Sequence, residues 1–322
     1  MKAIRFDKVG GPEVLSYQDY DLPPPATGQV RVRHRAIGVN FIDIYHCSGL
    51  YPVPLPSGVG SEAAGVIEAL GPGVTGYRIG ERVGYSSGVL GAYAEANNVP
   101  VEKLIRIPEA ISDEVAAAAM LKGMTTQYLI KRTYAVKPGE TILSHAAAGG
   151  VGLIACQWAA HLGASVIGTV GTEAKAKLAR EAGCRHVLLL SEDWKARVRE
   201  ITGGEGVPVV YDSIGKDTWE RSLDCLAVRG MMVSFGNSSG AVPPFAPGIL
   251  AGKGSLYVTR PTLGSYTRTA RETQDTADDL FAVIASGAVK IAINQRYALK
   301  DAAKAQQALA ARQTTGATVL IP

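Results

Sequence analysis

Hydrophobic and polar positions change rhythm twice along the chain. Up to about residue 122 the apolar runs are short. Stretches 30–35, 64–69 and 82–85 are separated by Pro23-Pro24-Pro25, by 51–60 and by Gly71-Pro72-Gly73. Closely spaced short strands with such turns predict a compact barrel-like domain over 1–122. No helical period persists before about residue 112, where Ser112 stands as an N-cap ahead of Val115, Ala116 and Ala119.

From 123 to about 264 strand-like and helix-like patterns alternate. Strands are expected at 141–144, 165–170, 186–190, 209–213 and 231–235, with helices at 150–162, 173–182, 192–201 and 216–226. Repeated β-α alternation predicts an α/β domain with a doubly wound parallel sheet. Pro208 lacks a backbone N–H, so it is expected at the first residue of its strand or on an unpaired edge. Residues 265–322 carry two helical stretches, 269–286 and 300–312, and a last strand at 317–321.

The most informative turn lies inside the alternating region. The string Thr141-Ile-Leu-Ser-His-Ala-Ala-Ala-Gly-Gly-Val-Gly152 reads as strand, small-residue turn and helix. A dinucleotide fingerprint needs that order, because backbone must approach a pyrophosphate and unpaired N–H groups at a helix start attract an anion. Ala147 takes the first glycine's place, Gly149 the second and Gly152 the third. A tight strand-to-helix turn in any α/β protein offers a plainer reading of this loop alone.

An acid is expected about 20 residues after the first fingerprint glycine when the cofactor is NAD, to hold the ribose 2′-OH. The segment Ile167-Gly168-Thr169-Val170-Gly171-Thr172 has none, and Glu173 follows only at the next helix. The absence leaves room for a 2′-phosphate, and Lys175 one turn on can supply the countercharge. The cofactor reading is therefore NADP rather than NAD. A solvated helix lysine, beside Lys177 and Arg180, is the plainer account of Lys175.

Composition adds mostly exclusions. The 322 residues are 47% hydrophobic and 19% charged, with a net charge of +4 and no basic cluster, so no nucleic-acid footprint is expected. No apolar run approaches the length of a membrane span. The N-terminus lacks the apolar core of a signal peptide. Cys47, Cys156, Cys184 and Cys225 are spread singly, which suggests a reducing compartment and a cytoplasmic protein. The histidines show no metal-binding spacing and are read as structural; His145, just before the turn, is expected to pack or hydrogen-bond locally.

Several segments together resemble the zeta-crystallin-like NADPH:quinone oxidoreductases of the medium-chain dehydrogenase/reductase superfamily. They are His145–Gly152 with Asp212-Ser213-Ile214-Gly215, Phe235-Gly236-Asn237-Ser238-Ser239-Gly240 and Val258-Thr259-Arg260-Pro261, and also Gly10-Gly11-Pro12-Glu13-Val14-Leu15 and Asn40-Phe41-Ile42-Asp43. The likeness covers essentially the whole chain and is closest to bacterial members.

The resemblance implies a GroES-like β-barrel catalytic domain and a Rossmann domain, with residues 265–322 returning to the first and the cofactor in the cleft between them. It implies NADPH-dependent reduction of a quinone, and a homodimer joined through strands near 231–260. Carried over by matching residues, the pyrophosphate meets Gly150 and Val151, with Gly149 of the fingerprint also cofactor-binding, and the 2′-phosphate meets Gly171, Thr172 and Lys175. Phe235, Gly236 and Asn237 line the nicotinamide-ribose side, with Ile214 and Ser238 also cofactor-binding, and the segment from Asn40 to Tyr45, including Phe41 and Ile42, covers the nicotinamide. Tyr128 and Arg312 are further cofactor candidates. Asn40, Asp43 and Tyr51 are the candidate polar groups toward the acceptor, in positioning roles. Tyr45 and Tyr51 are equally readable as packing residues.

The chain departs from its relatives in two ways. Leu190 stands where the family often has a Tyr beside the adenosine phosphate. Zinc-dependent relatives place Cys and His where this chain has Asn40 and Ser61, and residues 85–105 contain no Cys for a structural zinc. No metal is therefore expected, because Zn²⁺ needs three or four thiolate or imidazole ligands. Glu62 survives and is read as a structural carboxylate. Cys47, near the expected cleft, is the thiol expected to be most open to alkylating substrates. Two alternatives stay open: a reductase of enone or enoyl carbon–carbon double bonds, and an NADPH-binding structural or RNA-binding protein with little turnover.

Overall fold

A computed structural model describes residues 1–322. The first stretch contains β1 (Lys2–Phe6), β2 (Ser16–Asp19), β3 (Gln29–Val39), α1 (Phe41–Cys47), β4 (Ser57–Gly58), β5 (Glu62–Leu70), β6 (Arg82–Ser86), β7 (Ala96–Pro100), β8 (Ile105–Arg106) and α2 (Asp113–Tyr128). The middle stretch alternates β9 (Thr141–Ser144), α3 (Gly150–His161), β10 (Ser165–Val170), α4 (Glu173–Glu181), β11 (Cys184–Leu189), α5 (Trp194–Ile201), β12 (Val207–Asp212), α6 (Trp219–Asp224), β13 (Leu226–Ser234), α7 (Gly248–Gly252) and β14 (Tyr257–Thr259). The last holds α8 (Leu263–Tyr266), α9 (Ala270–Ala285), β15 (Ile293–Ala298), α10 (Ala302–Ala310) and β16 (Ala317–Ile321). Two compact units result: residues 1–124 with 263–285 and 291–322, and residues 125–262 with 286–290.

The first unit is built on β3. Val30, Val32, His34 and Ala36 point inward, while Arg31, Arg33 and Arg35 alternate with them on the wetter face. β3 pairs with β5, β7 and β16 in a seven-stranded sheet, and β2-β1-β4 form a smaller one. Ile4, Phe6, Val32, Ile67, Tyr85, Tyr93 and Leu320 are among its buried core. One expectation fails here. α1 is a helix in a region read as free of helical period. It is only seven residues long, and its start is fixed by a capping box rather than by a repeating apolar stripe.

The second unit is a six-stranded parallel sheet in the order β11-β10-β9-β12-β13-β14. Its central strands β9, β10 and β12 are buried almost throughout and mainly apolar, as helix-covered parallel strands must be. Pro208 is second in β12, a central strand, rather than first or on an edge. It falls where the β12–β13 register slips, and β9 pairs only from Val210 onward, so its missing N–H costs no ladder bond. The strand order reverses between β9 and β12. Open α/β sheets bind ligands at the carboxyl ends of their strands at such a point.

Candidate active site

The carboxyl ends of β9, β10, β12 and β13 gather the predicted cofactor residues of the second unit. After β9 the chain turns through Ala146, which sits in the left-handed region at φ 53°. Gly149 N–H closes the turn on the Ala146 carbonyl at 2.8 Å, and Ala147 N–H ties it to Thr169 of β10 at 3.0 Å. Gly149 is the N-cap of α3 and has no side chain to cap it. The N–H groups of Gly150, Val151 and Gly152 therefore lack intrahelical acceptors and suit an anion. A Cβ on Gly152 would lie 2.2 Å from the Ala146 oxygen, so only glycine permits this packing.

His145 supports the turn from below. Its Nδ1 meets Thr169 Oγ1 at 2.7 Å, its Nε2 meets Ser222 Oγ at 2.8 Å, and Trp194 packs edge-on against its ring. Burial pushes its pKa down, so the ring is neutral. This is the local packing role the sequence suggested.

At the end of β10, Gly171 and Thr172 are exposed and Lys175 lies in the first turn of α4. Thr172 caps the helix by accepting the Lys175 N–H at 3.3 Å, which leaves its own O–H to donate. Ile214 follows β12, where Asp212 Oδ1 accepts the N–H groups of Ile214 and Gly215 at 2.7 and 3.1 Å. Phe235 to Ser238 follow β13 and cross that loop. A Cβ on Gly236 would stand 2.5 Å from the Ser213 oxygen.

Arg260, quoted in the sequence only as part of a motif, braces this loop. Its Nη1 donates to the Ser234 carbonyl at 3.0 Å. Asn237 is satisfied when its amide nitrogen donates to Gly236 O at 2.9 Å and its oxygen accepts from Arg260 at 3.2 Å; the reverse pairs like with like. Tyr128 is buried at the end of α2.

The first unit carries the other candidates. Asn40 caps α1, its N–H donating to Asp43 Oδ2 at 2.8 Å while the Asp43 N–H reaches the Asn40 main-chain carbonyl at 3.1 Å and faces its side chain in a capping box. Phe41, Ile42, Tyr45 and Tyr51 lie on or just after this helix. Tyr45 packs against Tyr51 with ring centres 5.2 Å apart and against Phe41 at 6.2 Å. Arg312 is exposed beyond α10.

Asp43 is fully buried. Tyr93 donates to its Oδ2 at 2.9 Å, and Ser61 Oγ lies 3.5 Å from Oδ1. Burial pushes its pKa up to about 7, against the pull of those bonds. Asp43 therefore acts on α1 from inside the protein. Glu62, also fully buried and raised by burial, accepts Asn40 Nδ2 at 2.8 Å, Leu121 N–H at 2.6 Å and Lys122 Nζ at 3.5 Å. Tyr93 and Lys122 were not singled out in the sequence. Lys122 lies 60 residues from its partner, and no local pattern announces such a contact.

Cys47 departs from expectation. It is buried and its thiol is pushed up to about 12 by burial, so it is neither open nor thiolate-like. Cys156 and Cys184, separate in sequence, meet as thiols at 2.9 Å.

Comparison with known proteins places this geometry. The alcohol dehydrogenase GroES-like domain family matches residues 26–109, and the zinc-binding dehydrogenase family matches 150–282. The quinone oxidoreductase of Pseudomonas aeruginosa is 58% identical over 323 residues, covering 100% of this chain and 99% of that protein. The chain belongs to the quinone oxidoreductase family. A crystal structure of the Escherichia coli quinone oxidoreductase complexed with NADPH superposes with a TM-score of 0.98 at 53% identity, each chain covered in full. The 2-haloacrylate reductase of a Burkholderia species is 47% identical, covering 99% of this chain and 98% of that protein.

The zinc in one family description does not fit this member. Asn40 and Ser61 are poor zinc ligands, and no three His, Cys, Asp or Glu side chains converge on a metal-sized space. The NADPH fit is good: an uncapped helix start, a turn that admits no Cβ at Gly152, and an open strand end at Gly171 without a carboxylate.

Proposed function

We propose that the protein is an NADPH-dependent, metal-independent reductase of quinones. The observation that carries the reading is the uncapped start of α3 beside an acid-free β10 end, a seat for a phosphate-bearing cofactor. Bound NADPH supplies the hydride. Gly150 and Val151 offer N–H groups to the pyrophosphate, and Gly149, its own N–H held by the Ala146 carbonyl, shapes the turn that presents them. Gly171, Thr172 and Lys175 receive the 2′-phosphate. Ile214, Phe235, Gly236, Asn237 and Ser238 hold the nicotinamide-ribose end, with Arg260 fixing Asn237. Phe41, Ile42, Tyr45, Tyr128 and Arg312 complete the cofactor's surroundings.

Asn40 donates an amide N–H to the acceptor oxygen as that oxygen gains charge. Tyr51 supplies an aromatic face for a flat acceptor. Asp43 keeps α1, and with it Asn40, in register. A quinone readily takes up an electron pair, so a neutral hydrogen bond suffices where a simple carbonyl needs a Lewis acid. Steady-state NADPH oxidation with benzoquinones, enones and simple aldehydes tests this. Turnover of aldehydes at rates rivalling quinones would refute it.

A second reading is favoured by the 2-haloacrylate reductase relative: reduction of an activated carbon–carbon double bond. The same screen separates the two.

The protein is further proposed to be a cytoplasmic homodimer. All four cysteines are free thiols, which suits a reducing compartment. No helix is long and apolar enough to cross a membrane. β14 ends the parallel sheet as an unpaired edge, and Tyr257 on it is 58% exposed, with Val228 of neighbouring β13 at 74%. Two such edges pair naturally about a twofold axis. A monomeric mass in light scattering at micromolar concentration would exclude this assembly.

A further inference from the structure

The Asn40 side chain is held at both ends. Its oxygen faces the Asp43 N–H in a capping box, an N–H that also reaches the Asn40 main-chain carbonyl at 3.1 Å, and Nδ2 donates one N–H to Glu62 Oε2 at 2.8 Å. An amide nitrogen carries two N–H bonds, so one N–H is committed and one remains. Which end of the amide takes which place depends on Glu62. Its Oε1 accepts the backbone N–H of Leu121 and its Oε2 accepts from Asn40 and Lys122, so both oxygens act as acceptors at once. Only a carboxylate can do this. Glutamine has the same shape but a single acceptor oxygen. Lys122, itself buried, balances the charge that this arrangement requires inside the protein.

We propose that Glu62, balanced by Lys122, is a positioning residue of the reduction, fixing Asn40 so that an amide N–H rather than its oxygen faces the acceptor. The inference rests on the reading of Asn40 as donor to the acceptor oxygen. In Glu62→Gln, an oxygen kept on Leu121 turns the new amide N–H₂ toward Asn40 Nδ2, donor against donor. Asn40 escapes only by turning over, and its N–H₂ then faces the Asp43 N–H. Either way the outward N–H is lost or mispointed. An amide oxygen in its place repels the charge that grows on the acceptor, so the loss falls on turnover rather than on cofactor binding.

The experiment is a double-mutant cycle between Asn40→Ala and Glu62→Gln. Melting temperature, the NADPH dissociation constant and kcat with a benzoquinone are measured for each protein. The expected result is a fall in kcat of roughly tenfold or more in each single variant, with NADPH affinity near wild type. Glu62→Gln added to Asn40→Ala is expected to cost little further. Glu62→Gln/Lys122→Met removes both charges and is made in parallel. It is expected to recover thermal stability but not kcat, since the Asn40 amide stays unfixed. Losses that multiply in the cycle, or recovery of kcat in the charge-free pair, would overturn the positioning role while leaving the Asn40 reading intact. An Asn40→Ala protein with wild-type kcat would overturn the Asn40 reading and this inference with it.

Discussion

Two glycines of the proposed cofactor site make opposite predictions when each receives one methyl group. At Gly152 the new Cβ would stand 2.2 Å from the Ala146 oxygen and 2.8 Å from both the carbonyl carbon and Cα of Ala147. All three are backbone atoms of a turn pinned at 2.8 and 3.0 Å by the Gly149 and Ala147 hydrogen bonds. Relief to ordinary contact needs a shift of roughly 1 Å. Overpacking of this kind costs about 1–3 kcal/mol, and a weakened hydrogen bond about 1 kcal/mol more. The helix preference for Ala over Gly returns about 0.5–1 kcal/mol. Gly152→Ala should therefore lose roughly 1–3 kcal/mol of stability, or about 2–4 °C in melting temperature for each kcal/mol. It also displaces the N–H groups offered to the pyrophosphate. Charge-assisted bonds of about 1.5–3 kcal/mol are at stake there, so affinity should fall roughly 10- to 100-fold.

At Gly171 the same methyl group meets no atom within 4 Å, and the residue is not in the left-handed region. Gly171→Ala should leave the free protein unchanged or up to about 1 kcal/mol more stable through the unfolded state. It should nonetheless weaken NADPH, because the methyl group takes space assigned to the 2′-phosphate, and should affect NADH far less. Differential scanning fluorimetry without cofactor and fluorescence titration with each nucleotide read both quantities. Normal NADPH binding by Gly171→Ala would place the 2′-phosphate elsewhere, and an unperturbed Gly152→Ala would mean the turn is not the tight cradle described.

Lys175→Ala should raise the NADPH dissociation constant about tenfold, from one exposed charge-assisted contact, while NADH changes little; equal losses for both nucleotides would assign Lys175 to the fold. Incubation with a strong chelator should leave quinone turnover intact, and metal analysis showing one zinc per chain with activity lost on its removal would refute this. His34 donates Nδ1–H to Ala94 O at 2.7 Å and lies 3.0 Å from the Tyr85 hydroxyl through Nε2, and burial lowers its pKa to about 4. The unfolded chain then binds more protons than the native one between about pH 6.5 and 4, so this contribution is full above 6.5 and is lost as pH falls through that window. His34→Gln should flatten the acid limb of a stability–pH curve, and an unchanged slope would contradict the buried neutral ring.

The second unit was readable because its signals are periodic. Short apolar strand runs of four to six residues alternate with helices whose small and apolar residues recur at helical spacing, and 141–144, 165–170 and the α3 start appear where the pattern puts them. The first unit was readable as strands and turns but not in detail. α1 has fewer than two full turns, too few for a period, although Asn40 and Asp43 spell its capping box three residues apart. Cys47 looked open because its neighbours in sequence carry chemistry; in space it is the last residue of α1 and is buried, with Gln306 Nε2 3.9 Å from its sulfur. Pro208 obeyed the rule that excludes it from regular pairing, through a register slip that no sequence pattern marks. The Glu62–Lys122 contact joins β5 to α2, and only the tertiary fold brings a carboxylate and an ammonium of such separation together.

The buried charges around Asn40 bear on which acceptors this family member can reduce. A carboxylate near a developing oxyanion is unfavourable, and Glu62 is such a carboxylate. Two features soften it: Lys122 sits on the same oxygen, and Asp43, raised to about 7, carries only part of a charge near neutral pH. The surroundings of Asn40 thus approach electrical neutrality, and what Asn40 offers the acceptor, in the role proposed for it, is the dipole of one N–H. A single neutral hydrogen bond stabilises an oxyanion less than a divalent cation does. The remaining driving force must come from the acceptor's own appetite for electrons. Relative rates should therefore rise with acceptor reduction potential across a series of substituted benzoquinones, and a flat series would mean that the protein, rather than the quinone, supplies the stabilisation.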